Sequence, residues 1–223
     1  MIALVACLAL AQVPGVPLDD GTLVVRRDTQ EVARETFRLL ERRRGDSASG
    51  WVIAATAQWS AGIRPLVLSP VIALAPDSEP DVFALDVSEN GATMRITGQP
   101  GRARYTLRYI TPGLERAREL PRRRPSVLLV DSVFTPYLFA AWRAGPAPIS
   151  VSAIYPRAPQ LVQLTVTDLG TSATTLNRDP ATLHHILVRG GPDGPVHVWL
   201  AADGRLMKVE LPDQRVRAER LPN

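Results

Sequence analysis

The chain has very little of several things. Cysteine occurs once, lysine once (Lys208) and histidine three times in 223 residues, and aromatic residues make up 5%. One cysteine permits no internal disulfide. Three histidines build a zinc centre only if all of them converge on one site, or if acids make up the ligand set. No uninterrupted apolar run reaches the roughly 18 residues of a membrane-spanning helix, because prolines and a glycine interrupt the N-terminal candidate at Val13 to Pro17. Pro and Gly number 20 and 15 beside 45% apolar and 22% charged residues, a globular composition rather than a disordered, collagen-like or coiled-coil one. No catalytic signature stands in the chain: Gly-x-Ser-x-Gly is absent, and Arg205 sits where a Ser-x-x-Lys motif ending at Lys208 needs serine.

The formal charge is +4, and the basic side is almost all arginine. The runs Arg42-Arg43-Arg44 and Arg122-Arg123-Arg124 fall at turn signals without interleaved aromatics. They read as solvated loops and not as a nucleic-acid surface, with anionic lipid headgroups as the alternative partner. The first eleven residues are apolar and end in Ala9-Leu10-Ala11, the small-x-small pattern of a signal peptidase site. Export to the periplasm is therefore expected, with residues 1–11 as signal peptide, 12–21 as a Pro-rich leader and 22–223 as a single β-rich domain. Leu4-Val5-Ala6-Cys7 also fits a lipobox, so a lipoprotein anchored through Cys7 is the alternative.

Short β-favouring runs recur throughout: 22–26, 51–56, 66–68, 82–87, 93–97, 104–110, 160–167, 182–188, 196–200 and 206–211. Turn signals separate many of them, including Gly98 to Gly101, Gly190-Gly191, Asp193-Gly194 and Asp203-Gly204. In 104–110, alternation puts Tyr105, Leu107 and Tyr109 on one face and Arg104 and Arg108 on the other. The pattern is mainly β. Two segments also carry helical signals. Residues 28–44 have a capping box at Asp28 to Glu31 and helically spaced Val32, Thr36, Phe37 and Leu40, although Arg26 to Gln30 equally reads as a hairpin turn. From Asp131, a possible N-cap, to Trp142 the chain is apolar on nearly every side, which predicts a buried helix.

Candidate chemistry is sparse. His184 and His185 face opposite ways on a strand, so at most one can join His197 on a common face. The nearest acids, Asp193 and Asp203, belong to turns, so neither a metal nor another cofactor is expected. Asp77 to Asp81 lacks the glycine and spacing of a calcium loop. Gly98 to Gly101 and Gly190-Gly191 read as hairpin turns rather than phosphate cradles, since no helix follows. The 12 aromatics are more informative. Phe134, Tyr137, Phe139 and Trp142 share the apolar segment, either as plain core or as the lining of a cavity for an acyl chain.

Gly21 to Asp28, Glu35 to Leu39 and the ending Val198 to Pro212 resemble exported bacterial proteins of unknown function with a curved antiparallel sheet similar to the Lol lipoprotein carriers. The resemblance implies a half-barrel wrapped around one apolar helix at 131–142, and a strand hairpin over 22–43. It carries over no functional residue. Three functions follow as expectations. The first is a non-catalytic periplasmic protein binding a lipid or acyl chain between sheet and helix, through Phe134, Tyr137, Phe139 and Trp142. The second is an envelope structural module with a filled core, pairing with another envelope protein through its outer sheet face or an exposed edge. The third is an enzyme built around the histidines.

Overall fold

In a computed structural model, the described residues are 15–45, 47–60 and 65–222. The expected signal peptide and the lipobox cysteine lie outside them. Fifteen strands form one sheet. The first eight are β1 (Val16–Arg27), β2 (Gln30–Arg44), β3 (Ser47–Trp59), β4 (Leu66–Leu74), β5 (Pro80–Glu89), β6 (Ala92–Pro100), β7 (Arg104–Thr111) and β8 (Leu114–Pro121). The others are β9 (Ser126–Leu128), β10 (Ile149–Tyr155), β11 (Gln160–Leu176), β12 (Asp179–Gly191), β13 (Gly194–Leu200), β14 (Leu206–Leu211) and β15 (Val216–Arg220).

Strands β1 to β8 meander in sequence order away from β1, and β15 back to β9 do so on its other side, so the first and last strands pair in the middle of the sheet. The two edges, β8 and β9, are consecutive in the chain. Only Arg122 to Pro125 links them, and a four-residue link spans at most about 17 Å. That link forces the sheet to curl until its edges approach, yet no ladder joins them. The result is a nearly closed half-barrel with one seam. Every pairing is antiparallel except β9 on β10, which run parallel because the chain crosses the interior between them.

Residues 28–44 form a hairpin turn and strand β2, not a helix. Asp28 takes a left-handed φ of 54° in the hairpin turn, and Leu23, Val25, Ala33, Phe37 and Leu39 point into one core with side chains of β3 to β7. Sheet context overrides the local helical caps. β1 begins at Val16, so the strand takes in the second half of the Pro-rich leader. Near Gly98 the strand likewise runs longer than expected: β6 continues to Pro100, and the turn falls at 101–103. Gly98 is required there because a Cβ would lie 2.7 Å from the Tyr105 ring that covers it.

The 131–142 segment corrects the sequence expectation. Only Tyr137–Ala141 is α-helical (α1), five residues capped by Pro136 with no side-chain cap. Two features stop the helix starting at Asp131. Ser132 has φ 66°, outside helical space. The amides of Phe134 and Thr135, at 2.7 and 2.9 Å, donate to the Glu35 carboxylate instead. Asp131 caps nothing and pairs with Arg157. All five residues of α1 are buried.

Glu35 lies in mid-sheet, flanked by Leu23 and Ala57, and is 0% exposed. Thr135 Oγ1 adds a third donor at 2.5 Å. Burial pushes the Glu35 carboxyl above its ordinary value, against those three hydrogen bonds. Glu35→Leu strands three buried donors and is expected to lower stability by roughly 3 kcal/mol, read from urea midpoints. The raised folded value sets the sign of the pH effect: the fold holds the Glu35 proton more tightly than the unfolded chain, so this contribution to stability is full below about pH 4.5 and is lost as pH rises through the folded value. The stability difference between wild type and Glu35→Gln is therefore expected to shrink from pH 5 to pH 8.

Candidate functional site

The concave face is filled by the chain between β9 and β10. Beyond the Glu35 anchor, the Trp59 indole N–H donates to Ser132 O at 2.9 Å, and Glu79 accepts from the Ser126 amide and hydroxyl at 3.2 and 2.6 Å. Arg143 donates to Glu79 and to the carbonyls of Asp77, Ser78 and Ser126. Across the seam, Tyr109 donates its hydroxyl to Pro156 O at 2.6 Å. These bonds fix the segment against the sheet.

At one mouth of the half-barrel the filling is incomplete. A cleft of about 410 Å³ opens between residues 130–137 and the strand ends. Its apolar wall includes Trp59, Leu66, Val133, Phe134, Tyr137 and Val216, and its rim carries Arg27, Glu89, Asp131, Asp193 and Gln214. Asp193 accepts from Tyr137 at 3.2 Å and from Gln214 at 2.8 Å. Burial drives the phenols of Tyr137 and Tyr155 well above their ordinary value, with the Asp193 carboxylate adding to the effect. Both keep their protons at neutral pH, and Tyr137 donates a hydrogen bond to Asp193.

The four aromatics expected to line a site are divided. Phe134 and Tyr137 border the cleft, with the Phe134 ring 6.2 Å from Trp59. Phe139 is 2% exposed within the core. Trp142 is partly buried, edge-on to Trp51 at 5.7 Å and 5.2 Å from Phe139. Trp59 and Leu66 complete the wall from strand ends, which local sequence alone did not single out. Of the basic clusters, Arg42 and Arg43 pair with Asp81 and Glu41, and Arg124 pairs with Asp77.

The histidines lie away from the cleft. His185, not His184, joins His197, their ring nitrogens 2.8 Å apart, and His185 stacks on Trp199 at 3.8 Å. His184 pairs with Asp168 at 3.1 Å, at a partly exposed position. Among the described residues no three His, Cys, Asp or Glu side chains gather as a metal site.

No known family and no curated protein matches the sequence. A solved β-barrel-like protein of domain of unknown function DUF1849 from Brucella abortus matches the structure at TM-score 0.57 and 13% identity, covering 94% of this chain and 97% of that one. The two share a fold: the chain is a mainly β, barrel-like protein. Among the described residues no helix is long and apolar enough to cross a membrane.

Burial lowers the His185 value below the ordinary imidazole range, with His197 adding to it. A depressed value makes the His185 contribution full above about pH 6.5 and lost as pH falls through the lower folded value. Replacing His185 by Phe, which keeps the stack on Trp199, is expected to flatten the decline in urea midpoint below pH 6.5; an unchanged decline would show that the histidine pair is not its source.

Proposed function

We propose that the protein is a non-catalytic, exported envelope protein that binds a single apolar chain in the mouth cleft beside Phe134 and Tyr137. The observation that carries this reading is the cleft itself, where apolar side chains line part of an opening whose exposed surface is mostly polar, in a core otherwise filled by buried side chains. Its 410 Å³ is at the lower end of ligand pockets, enough for one chain but not for a lipid with several. Each buried methylene contributes about 0.8 kcal/mol, so a short chain suffices for binding. Arg27 shares the rim with Glu89, Asp131 and Asp193, which favours a neutral or zwitterionic head over a bare anion. The resemblance of the sequence to exported proteins of unknown function, whose curved sheet is similar to that of the Lol carriers, and the signal-like N-terminus support the same reading. Phe139 and Trp142 act from behind, holding α1 and the cleft wall in place.

A second reading is an envelope interaction module, and one observation favours it: α1 and its flanks occupy the concave face, so a deep acyl tunnel has no room.

The test is native against denaturing mass spectrometry of residues 12–223, exported in a Gram-negative host and purified without detergent. A stoichiometric lipid mass lost on denaturation is expected. Leu66→Trp, which fills the cleft, is expected to weaken binding of a fluorescent fatty-acid probe at least tenfold. Protein that emerges empty and ignores the probe would leave the interaction module as the function.

A further inference from the structure

The sheet has two edges, and they differ. β9 is three buried residues long, and its Ser126 amide is taken by Glu79. β8 is eight residues long and exposed from Leu114 to Glu119. Among the described residues, no backbone hydrogen bond reaches its outer side, although β11 approaches it. The two-residue turn Pro112-Gly113, with Gly113 at φ 80°, joins β8 to β7 and makes Thr111 and Leu114 the first hydrogen-bonded pair. From that phase, the amides of Glu115, Ala117 and Glu119 point outward. Pro121, which has no amide hydrogen, falls in the same outward phase.

The two faces of β8 are charged oppositely. Glu115 and Glu119 lie on the outer face and are neutralised from β7, by Arg108 at 2.8 Å and Arg104 at 3.5 Å. Arg116 and Arg118 lie on the concave side, opposite Tyr109 and Leu107, and make no ion pair among the described residues. The edge therefore offers a free backbone ladder beside two uncompensated cations spaced for one strand face.

A second copy of the chain does not fit. Residues 114–120 read Leu-Glu-Arg-Ala-Arg-Glu-Leu, the same in both directions. A two-fold axis through an antiparallel pair keeps every side chain on its own face. Centred on Ala117, it sets Glu115 against the other copy's Glu119 and Arg116 against its Arg118. Sliding by two residues sets Arg116 on Arg116 or Arg118 on Arg118. Like charges directly opposed are unfavourable, so the palindrome guards this edge against self-pairing.

We propose that β8 is a docking edge for an extended segment of another protein, added as a further strand, with carboxylates at alternate positions facing Arg116 and Arg118. Backbone bonds to the outward amides supply the attachment, and the arginines select the partner by charge. This surface is separate from the mouth cleft and does not depend on what the cleft holds.

The full chain is titrated with two fluorescein-labelled nine-residue peptides, one alternating Thr and Glu and one alternating Thr and Lys. The acidic peptide is expected to bind, more weakly as salt rises, and the basic one is not. Arg116→Glu combined with Arg118→Glu is expected to weaken the acidic peptide at least tenfold and admit the basic one. Ala117→Pro removes an outward amide without touching the ladder to β7, and is expected to abolish binding with an unchanged circular dichroism spectrum. No binding of the acidic peptide, equal binding of both peptides, or full binding to a folded Ala117→Pro variant overturns the proposal.

Discussion

The structure depends on one buried carboxylate. A curved sheet of this size cannot bring its opposite walls together without filling its concave side, and here the filling comes from the chain between β9 and β10. That segment carries free backbone donors into the core, because Ser132 interrupts helical geometry and α1 is too short to satisfy the amides before it. Glu35 accepts two of those amides and the Thr135 hydroxyl from the middle of β2. Burying a carboxyl so deeply raises its proton affinity, and the three donors oppose that rise. An apolar residue at 35 would fit the sheet and leave three buried donors of the segment without an acceptor.

With the segment fixed, the concave side is left open where its packing ends. The cleft lies at the mouth because residues 130–133 leave the sheet there to reach the Glu35 anchor, and Trp59 follows them by hydrogen-bonding Ser132. The same anchoring explains the seam. β9 runs parallel to β10 and is sealed by Glu79 and Arg143, so it offers nothing to β8. β8 is left as an edge, and its charges, not its burial, decide what pairs with it.

Much of the fold was legible in the sequence. Each β-favouring run named from the sequence lies within a strand, and the hairpin over 22–43 follows from the resemblance, against the helical caps. Part of what was missed had no periodic apolar signal, although β10, Ile-Ser-Val-Ser-Ala-Ile-Tyr, alternates apolar and polar residues from Ile149 to Ala153 and was still not named. β8 alternates acidic and basic residues of good helix propensity, and β15, Val-Arg-Ala-Glu-Arg, buries Glu219 and Arg220 that composition places on the surface. The 131–142 segment misled in the other direction: its apolarity reported burial correctly, but its helix needed amides that Glu35 takes from 100 residues away. Half of the candidate site was legible. Phe134 and Tyr137 were found as apolar aromatics, whereas Trp59 and Leu66 join them only once strand ends meet in space.

The near absence of lysine also acquires a structural role. Arg220, 3% exposed, grips both carboxylate oxygens of Asp19 at 2.8 and 2.7 Å and also donates to the Asp20 carbonyl, tying the start of β1 to the end of β15. A planar fork matches the two oxygens of that carboxylate in a way a single ammonium does not. On the convex face, the tip of the β11–β12 hairpin folds back, and Asn177 donates to Arg220 O at 2.7 Å. Lys208 reaches Thr174, Thr175 and Glu210 from beneath it, a spread of acceptors that suits a rotating ammonium. The first and last strands and the tip of the longest hairpin are thus locked at the centre of the sheet, farthest from the seam. Compliance is left to the two edges, and β8 keeps outward amides with no partner among the described residues. A half-barrel bolted at its centre and open at one charged edge can accept an added strand without disturbing its core.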